Sequence, residues 1–246
     1  MGNFRHLLFA LLFVFSSGAL AQRAVIGFWK NAGTNGNCPS SPPVVTELGE
    51  NSGSTSPLTI TLTQAVPVGS FLIAQVAYRS INDRNVSDSK GNTWTLALKK
   101  TSSTQAAAVY YTKTTVALAA GDQVILSHAM TNAGLGMAVL MATNVSTLDL
   151  VNSSVSSTTP GVTTAGNVQC PNELLIGVAS FGLDTATFTP TGGYTLNYGW
   201  QGGGSGGTSG GFSYLSGSGL TGTQSYAPTV TSSGSDNFIT VIATFY

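Results

Sequence analysis

The sequence predicts an all-β protein: one large β-sandwich, jelly-roll or Ig-like, with about a dozen strands. Three observations predict it. Short apolar or alternating runs recur between Gly, Pro, Asn and Ser turn residues, and no stretch carries a helical apolar period. The chain is 42% hydrophobic, enough to fill a core and too much for disorder. Only 7% of its 246 residues are charged, as suits a hydroxyl-rich β surface.

Taken in order, residues 24–29 form a first expected strand, and 31–56, rich in Gly, Asn, Pro and Ser, a long loop. Leu58, Ile60 and Leu62 alternate with threonines, the pattern of a half-buried strand. Residues 71–78 are nearly continuously apolar, which predicts a central strand covered on both faces. Trp94, Leu96 and Leu98 share a face of the next strand. Residues 106–112, 123–127 and 137–142 continue the series, followed by 173–181, 194–200, 212–215, 228–231 and 238–245. No significant helix is expected after the leader. Gly69-Ser70-Phe71-Leu72-Ile73-Ala74 and Asn172-Glu173-Leu174-Leu175-Ile176-Gly177 look alike, which suggests two related central strands without establishing a repeat array. Asp88-Ser89-Lys90-Gly91-Asn92 carries a hairpin-turn signal. Residues 201–211 form a glycine-rich loop flanked by Trp200 and Phe212.

Residues 1–21 have the three zones of a secretory signal peptide: Arg5, an apolar run from 7 to 15, and Ala19-Leu20-Ala21 as the cleavage site. The run is too short to span a membrane, which takes about 20 apolar residues. The mature chain, 22–246, is therefore expected as one domain, secreted or at the cell surface, extracellular or periplasmic, with no membrane attachment after cleavage. Without Arg5, eight Lys or Arg face nine Asp or Glu, which offers no basic footprint for nucleic acid. Cys38 and Cys170 can pair in an oxidising compartment; two unpaired thiols are the alternative.

Around Val86-Ser87-Asp88-Ser89-Lys90-Gly91-Asn92-Thr93-Trp94-Thr95 the chain resembles a recurrent bacterial and phage-associated β-sandwich module of secreted and surface proteins. Residues 69–78, 106–111, Asn172-Glu173-Leu174-Leu175, Gly192-Gly193-Tyr194-Thr195 and 238–245 extend the likeness over most of the mature chain. The stretch bearing Cys38 and the long glycine loop depart from it. The resemblance implies a sandwich fold and an extracellular role, and brings no catalytic residues.

Catalytic patterns dissolve in context. Gly203-Gly204-Ser205-Gly206-Gly207 fits G-x-S-x-G, but a nucleophile elbow needs a strand before the serine and a helix after it. His128, the only histidine after the leader, has no nucleophile motif beside it. Glu47, Glu50, Asp149 and Glu173 are the acids considered for a glycosidase pair, and nothing in their spacing singles them out. Asp83, Asn85, Ser87 and Asp88 place oxygens in one turn, yet Trp94 stands where an EF-hand would have its bidentate Glu, so turn capping is expected and no metal or other cofactor.

The remaining candidate is aromatic. Tyr198, Trp200, Phe212, Tyr214 and Tyr226 flank the glycine loop and make a potential stacking platform for sugar rings. The expectation is thus a non-enzymatic secreted binding or adhesion module for polysaccharide or a cell-surface glycan. The alternative is a structural subunit of an extracellular assembly or filament, with residues 24–29 adding to a neighbour's sheet edge. A glycoside hydrolase or esterase ranks third.

Overall fold

A computed structural model of the protein describes residues 38–54, 57–79, 84–102, 105–127, 134–182, 187–190, 192–200, 209–231 and 237–246. The expected signal peptide, the strand expected at 24–29, Asp83, His128 and residues 201–208 of the glycine loop lie outside them. The described residues contain seventeen strands and no helix, and every strand pairing is antiparallel.

The first half contributes eight strands: β1 (Val44–Gly53), β2 (Leu58–Thr61), β3 (Phe71–Tyr78), β4 (Val86–Asp88), β5 (Thr95–Thr101), β6 (Ala106–Lys113), β7 (Gln123–Leu126) and β8 (Leu135–Thr143). They form a five-stranded sheet in the order β1-β8-β3-β6-β5 and a three-stranded sheet in the order β2-β7-β4. The second half contributes β9 (Leu148–Ser156), β10 (Val162–Thr163), β11 (Glu173–Phe181), β12 (Thr187–Thr189), β13 (Thr195–Trp200), β14 (Ser209–Gly217), β15 (Ser225–Tyr226), β16 (Thr229–Thr231) and β17 (Phe238–Phe245). Its large sheet runs β13-β14-β11-β17-β9, flanked by the ribbons β10-β15 and β12-β16.

The two halves have one topology. Reading β9 for β1, β11 for β3, β13 for β5, β14 for β6 and β17 for β8 turns the first large sheet into the second. The β15–β16 segment takes the place of β7, broken where Pro228 has no N–H to give a ladder. The register agrees residue by residue. Thr95 lies opposite Tyr111, which lies opposite Ile73; Thr195 lies opposite Tyr214, which lies opposite Ile176. Both edge strands carry a bulge at the same place, between Leu96 and Leu98 and between Leu196 and Tyr198. The two look-alike segments at Gly69 and Asn172 therefore lead into equivalent central strands. The single sandwich expected from the sequence is two sandwich halves in one compact unit.

Three apolar layers hold the halves together. β3 is buried along its whole length, as is β11, because each has a packed sheet on both faces. Leu72, Val76 and Tyr78 face the small β2-β7-β4 sheet. Phe71, Ile73 and Ala77 face the second large sheet, where Leu174, Ile176, Ile239 and Phe245 meet them. Leu175, Phe181 and Ile242 face the outer ribbons.

Several sequence expectations change. Residues 44–53, expected within a loop, form the edge strand β1, which bulges at Leu48. Gly49 sits beside that bulge at φ +148°, and a Cβ there would come 2.8 Å from Ile60. Residues 209–211 of the expected glycine loop open β14. The Asp88 turn is not a hairpin, since β4 and β5 belong to different sheets. Cys38 and Cys170 form a disulfide with Cα atoms 5.4 Å apart. It ties the arm that precedes β1 to the loop that enters β11. Asn172 Nδ2 donates to Pro39 O at 2.9 Å, and the Ser216 hydroxyl bonds Pro43 O, so the arm lies along the second half before entering the first.

Candidate functional site

The five aromatics expected to form one exposed platform separate into two cores. Tyr226 is fully buried under the outer ribbons, its ring 4.9 Å from that of Tyr194 and lying over Gly177. Trp200 and Phe212 are buried between the large sheets. Trp200 has room there because Gly136 and Gly210 have no side chain: a Cβ on either would lie 2.7 Å or 2.2 Å from the indole. Tyr198 and Tyr214 alone of the five stay half-buried.

Those two tyrosines stand at an edge where strand β1 of one large sheet meets β13 and β14 of the other. Residues directly opposite in an antiparallel pair share a sheet face. Glu47, Glu50 and Ser52 lie opposite Leu140, Ala138 and Gly136, so all three point toward the second sheet. Ser52 Oγ and the Tyr198 hydroxyl are hydrogen-bonded at 2.9 Å. Tyr198 stacks on Trp200, with centroids 6.0 Å apart and planes 13° apart. The rigid indole thereby fixes the ring that reaches the surface.

Behind the edge a polar pin crosses the apolar layer. Gln75 is fully buried and its Nε2 donates to Gly177 O and Ser213 O at 3.0 Å and 2.9 Å. Its Oε1 accepts from Asn197 Nδ2 at 2.9 Å. Asn197 is the bulge residue of β13, so the bulge aims its amide inward. Asn197 Oδ1 and Trp200 Nε1 are buried and meet no hydrogen-bond partner among the described residues.

The electrostatics of this edge are acidic. Burial, and then the charge of Glu50, raise the Glu47 carboxyl above its ordinary range. Burial first, and Glu47 second, raise the Tyr214 phenol. The edge thus offers two carboxylates, a serine hydroxyl and two tyrosines.

The duplication supplies a comparison within the molecule. The equivalent edge joins β9 to β5. There Glu50 and Ser52 correspond to Ser153 and Val155, and Asn197 and Tyr198 to Ala97 and Leu98. Tyr214 and Tyr111 are equivalent and both half-buried, so the edges share a tyrosine there; they differ where Ser52, Asn197 and Tyr198 give way to Val155, Ala97 and Leu98. Folding alone demands neither set, because both halves fold the same way.

The Asp88 motif is architectural. Asp88 Oδ1 accepts from Lys90 N at 2.9 Å, Asn92 N at 3.2 Å and Asn92 Nδ2 at 3.3 Å, and Oδ2 accepts from Trp94 Nε1 at 2.9 Å. Asn92 Oδ1 in turn accepts from Thr115 N and Val116 N, both at 2.8 Å. The Ser-Asp-Ser-x-Gly-Asn-Thr-Trp sequence is therefore a knot of local bonds around Asp88, tied through Asn92 to Thr115 and Val116, that turns the chain from the small sheet into the large one. The acid's oxygens are committed to N–H donors, as turn capping requires and cation binding does not. No group of three or more His, Cys, Asp or Glu fit to hold a metal occurs among the described residues.

The four acids considered for catalysis fall into two pairs. Glu47 and Glu50 share the β1 edge. Asp149 and Glu173 meet on the second half, beside the disulfide. Sequence spacing could not show either pairing, since the first depends on a bulge and the second on strands far apart in the chain. No helix among the described residues is long and apolar enough to cross a membrane. The chain matches no family model, no curated protein and no solved structure.

Proposed function

We propose that the chain is an exported, non-catalytic module that binds a glycan at the β1/β13 edge. The observation that carries this reading is the contrast between the two equivalent edges. The one holding Glu50, Ser52, Tyr198 and Tyr214 has what sugar recognition uses: aromatic faces for the C–H side of the ring and oxygen acceptors for its hydroxyls. The other keeps a tyrosine, Tyr111, at the position of Tyr214, but has Leu98 and Val155 in place of Tyr198 and Ser52. The disulfide fits an oxidising compartment. Retention on insoluble polysaccharides tests the proposal. Tyr198→Ala and Tyr214→Ala should each lose retention, and Val155→Ala on the aliphatic edge should keep it. Equal behaviour of all three variants removes the edge from the function.

A further inference from the structure

We propose that Asp149 and Glu173 hold one proton between them, and that this shared proton locks the disulfide-bearing loop against the second half. The geometry leads there directly. Glu173 is fully buried. Its Oε1 accepts from Cys170 N at 2.8 Å, while its Oε2, buried as well, meets no donor among the described residues. Asp149 faces it from β9 and uses its own oxygens on Gln169: Oδ2 accepts from Gln169 N at 3.2 Å, and Oδ1 from the Gln169 side-chain amide. Gln169 and Cys170, adjacent in the chain, donate to the two carboxyls and so bring them together, and each carboxyl acts on the other. Two ionised carboxylates would have only the single Thr244 hydroxyl proton to share; one further proton supplies the donor that Oε2 lacks.

Among the described residues, no positive charge faces the pair to do the proton's work. The entering loop presents Gln169 and the Cys170 backbone, β17 presents the Thr244 hydroxyl, and β11 and β9 present only the two acids. The Cys170 and Gln169 donors engage Glu173 Oε1 and both Asp149 oxygens, which leaves Glu173 Oε2 as the oxygen that a proton would serve. Burial, then the Asp149 charge, push the Glu173 carboxyl up to about 7, against the lowering effect of the Cys170 N–H.

The pair acts on adjacent backbone. Gln169 and Cys170 give their amides to the two carboxyls, and Cys170 anchors Cys38 and the arm into β1. The direction follows from proton counting. The folded protein keeps its proton where the unfolded chain has lost it, so stability falls as pH rises from the ordinary carboxylate range through neutrality. Loss of the proton places two like charges in a buried site and loosens the loop.

Thermal unfolding from pH 4.5 to 8.5 tests the proposal, with amide hydrogen exchange read at Gln169 and Cys170. The wild-type melting temperature should fall across that interval, and the protection factors of those two amides, exchange rates corrected for intrinsic base catalysis, should drop more than tenfold. Glu173→Gln keeps a donor toward Asp149 without a titratable proton; it should flatten the pH dependence and melt above wild type at pH 8.5. A variant with the wild-type slope overturns the proposal. Should Glu173→Gln fail to fold, a carbon-13 titration of the Glu173 carboxyl in the wild-type protein decides. A midpoint near neutrality upholds the shared proton, and one in the ordinary carboxylate range overturns it.

Discussion

Removing the Cys38–Cys170 bond by the double change Cys38→Ser and Cys170→Ser should cost the protein about 5 kcal/mol. The bond spans a sequence separation of 132 residues, and in the chain-entropy relation a ring of that size removes about 17 cal/mol/K from the unfolded ensemble. At 25 °C that is the quoted figure, provided that both halves unfold together. If the second half opens while the first stays folded, the free chain inside the ring shrinks to roughly 30 residues. That is the arm plus the stretch from the joint to Cys170, and the cost drops to about 4 kcal/mol. The two cases are separable. Guanidinium unfolding, followed by tryptophan fluorescence, should show one transition displaced by about 1 M in the first case, from a denaturant slope of about 5 kcal/mol/M. It should show two transitions in the second, with only the later-half signal from Trp200 displaced. Coincident midpoints for the disulfide-bonded and serine forms would refute the reasoning, because the arm would then be no constraint on the unfolded chain.

Trp200→Ala should destabilise by about 3–5 kcal/mol, the range for a buried aromatic whose slot cannot close, read as a lower denaturant midpoint. Its effect on glycan retention should vanish under conditions where the variant is fully folded, apart from what the displaced Tyr198 contributes. Asp88→Ala removes the acceptor of four hydrogen bonds and should cost about 3 kcal/mol, since bonds to a charged acceptor count for more than neutral ones. Added calcium should leave the melting temperature of the wild type unchanged, which differential scanning calorimetry checks.

The strands most legible in the sequence are those whose burial is two-sided. Residues 71–78 and 173–181 announce themselves because a strand packed on both faces needs apolar residues at every position, and both are central. β1 was illegible for the opposite reason. An edge strand with Glu47, Gly49, Glu50 and Asn51 reads as turn-rich chain, and its ladder comes entirely from β8. β9 is similar, with Asn152, Ser153 and Ser154 in its middle. The buried place of Trp200 depends on Gly136, far away in sequence, and on Gly210. Proximity to a glycine-rich loop suggested exposure, whereas here glycines on two strands make the slot. The duplication left a readable trace in the two central segments; elsewhere identity survives only at scattered positions such as Thr95 and Thr195, Leu96 and Leu196, Tyr111 and Tyr214, and strand order and matching bulges carry the rest. Of the aromatic set, Tyr198 and Tyr214 remain half-buried at the β1 edge, packed against the core behind it. Their acidic and hydroxyl neighbours come from β1, which the sequence presents as loop.

The central claim is that one of two equivalent edges binds a glycan. Titration of the isotopically labelled protein with a soluble oligosaccharide from whichever polysaccharide retains it tests that claim most directly, by backbone amide shifts. Saturable shifts clustered on Glu50, Ser52, Asn197, Tyr198 and Tyr214, with Ala97, Leu98, Ser153 and Val155 unmoved, are the expected result. Shifts spread equally over both edges, or confined to residues away from β1 and β13, would contradict it.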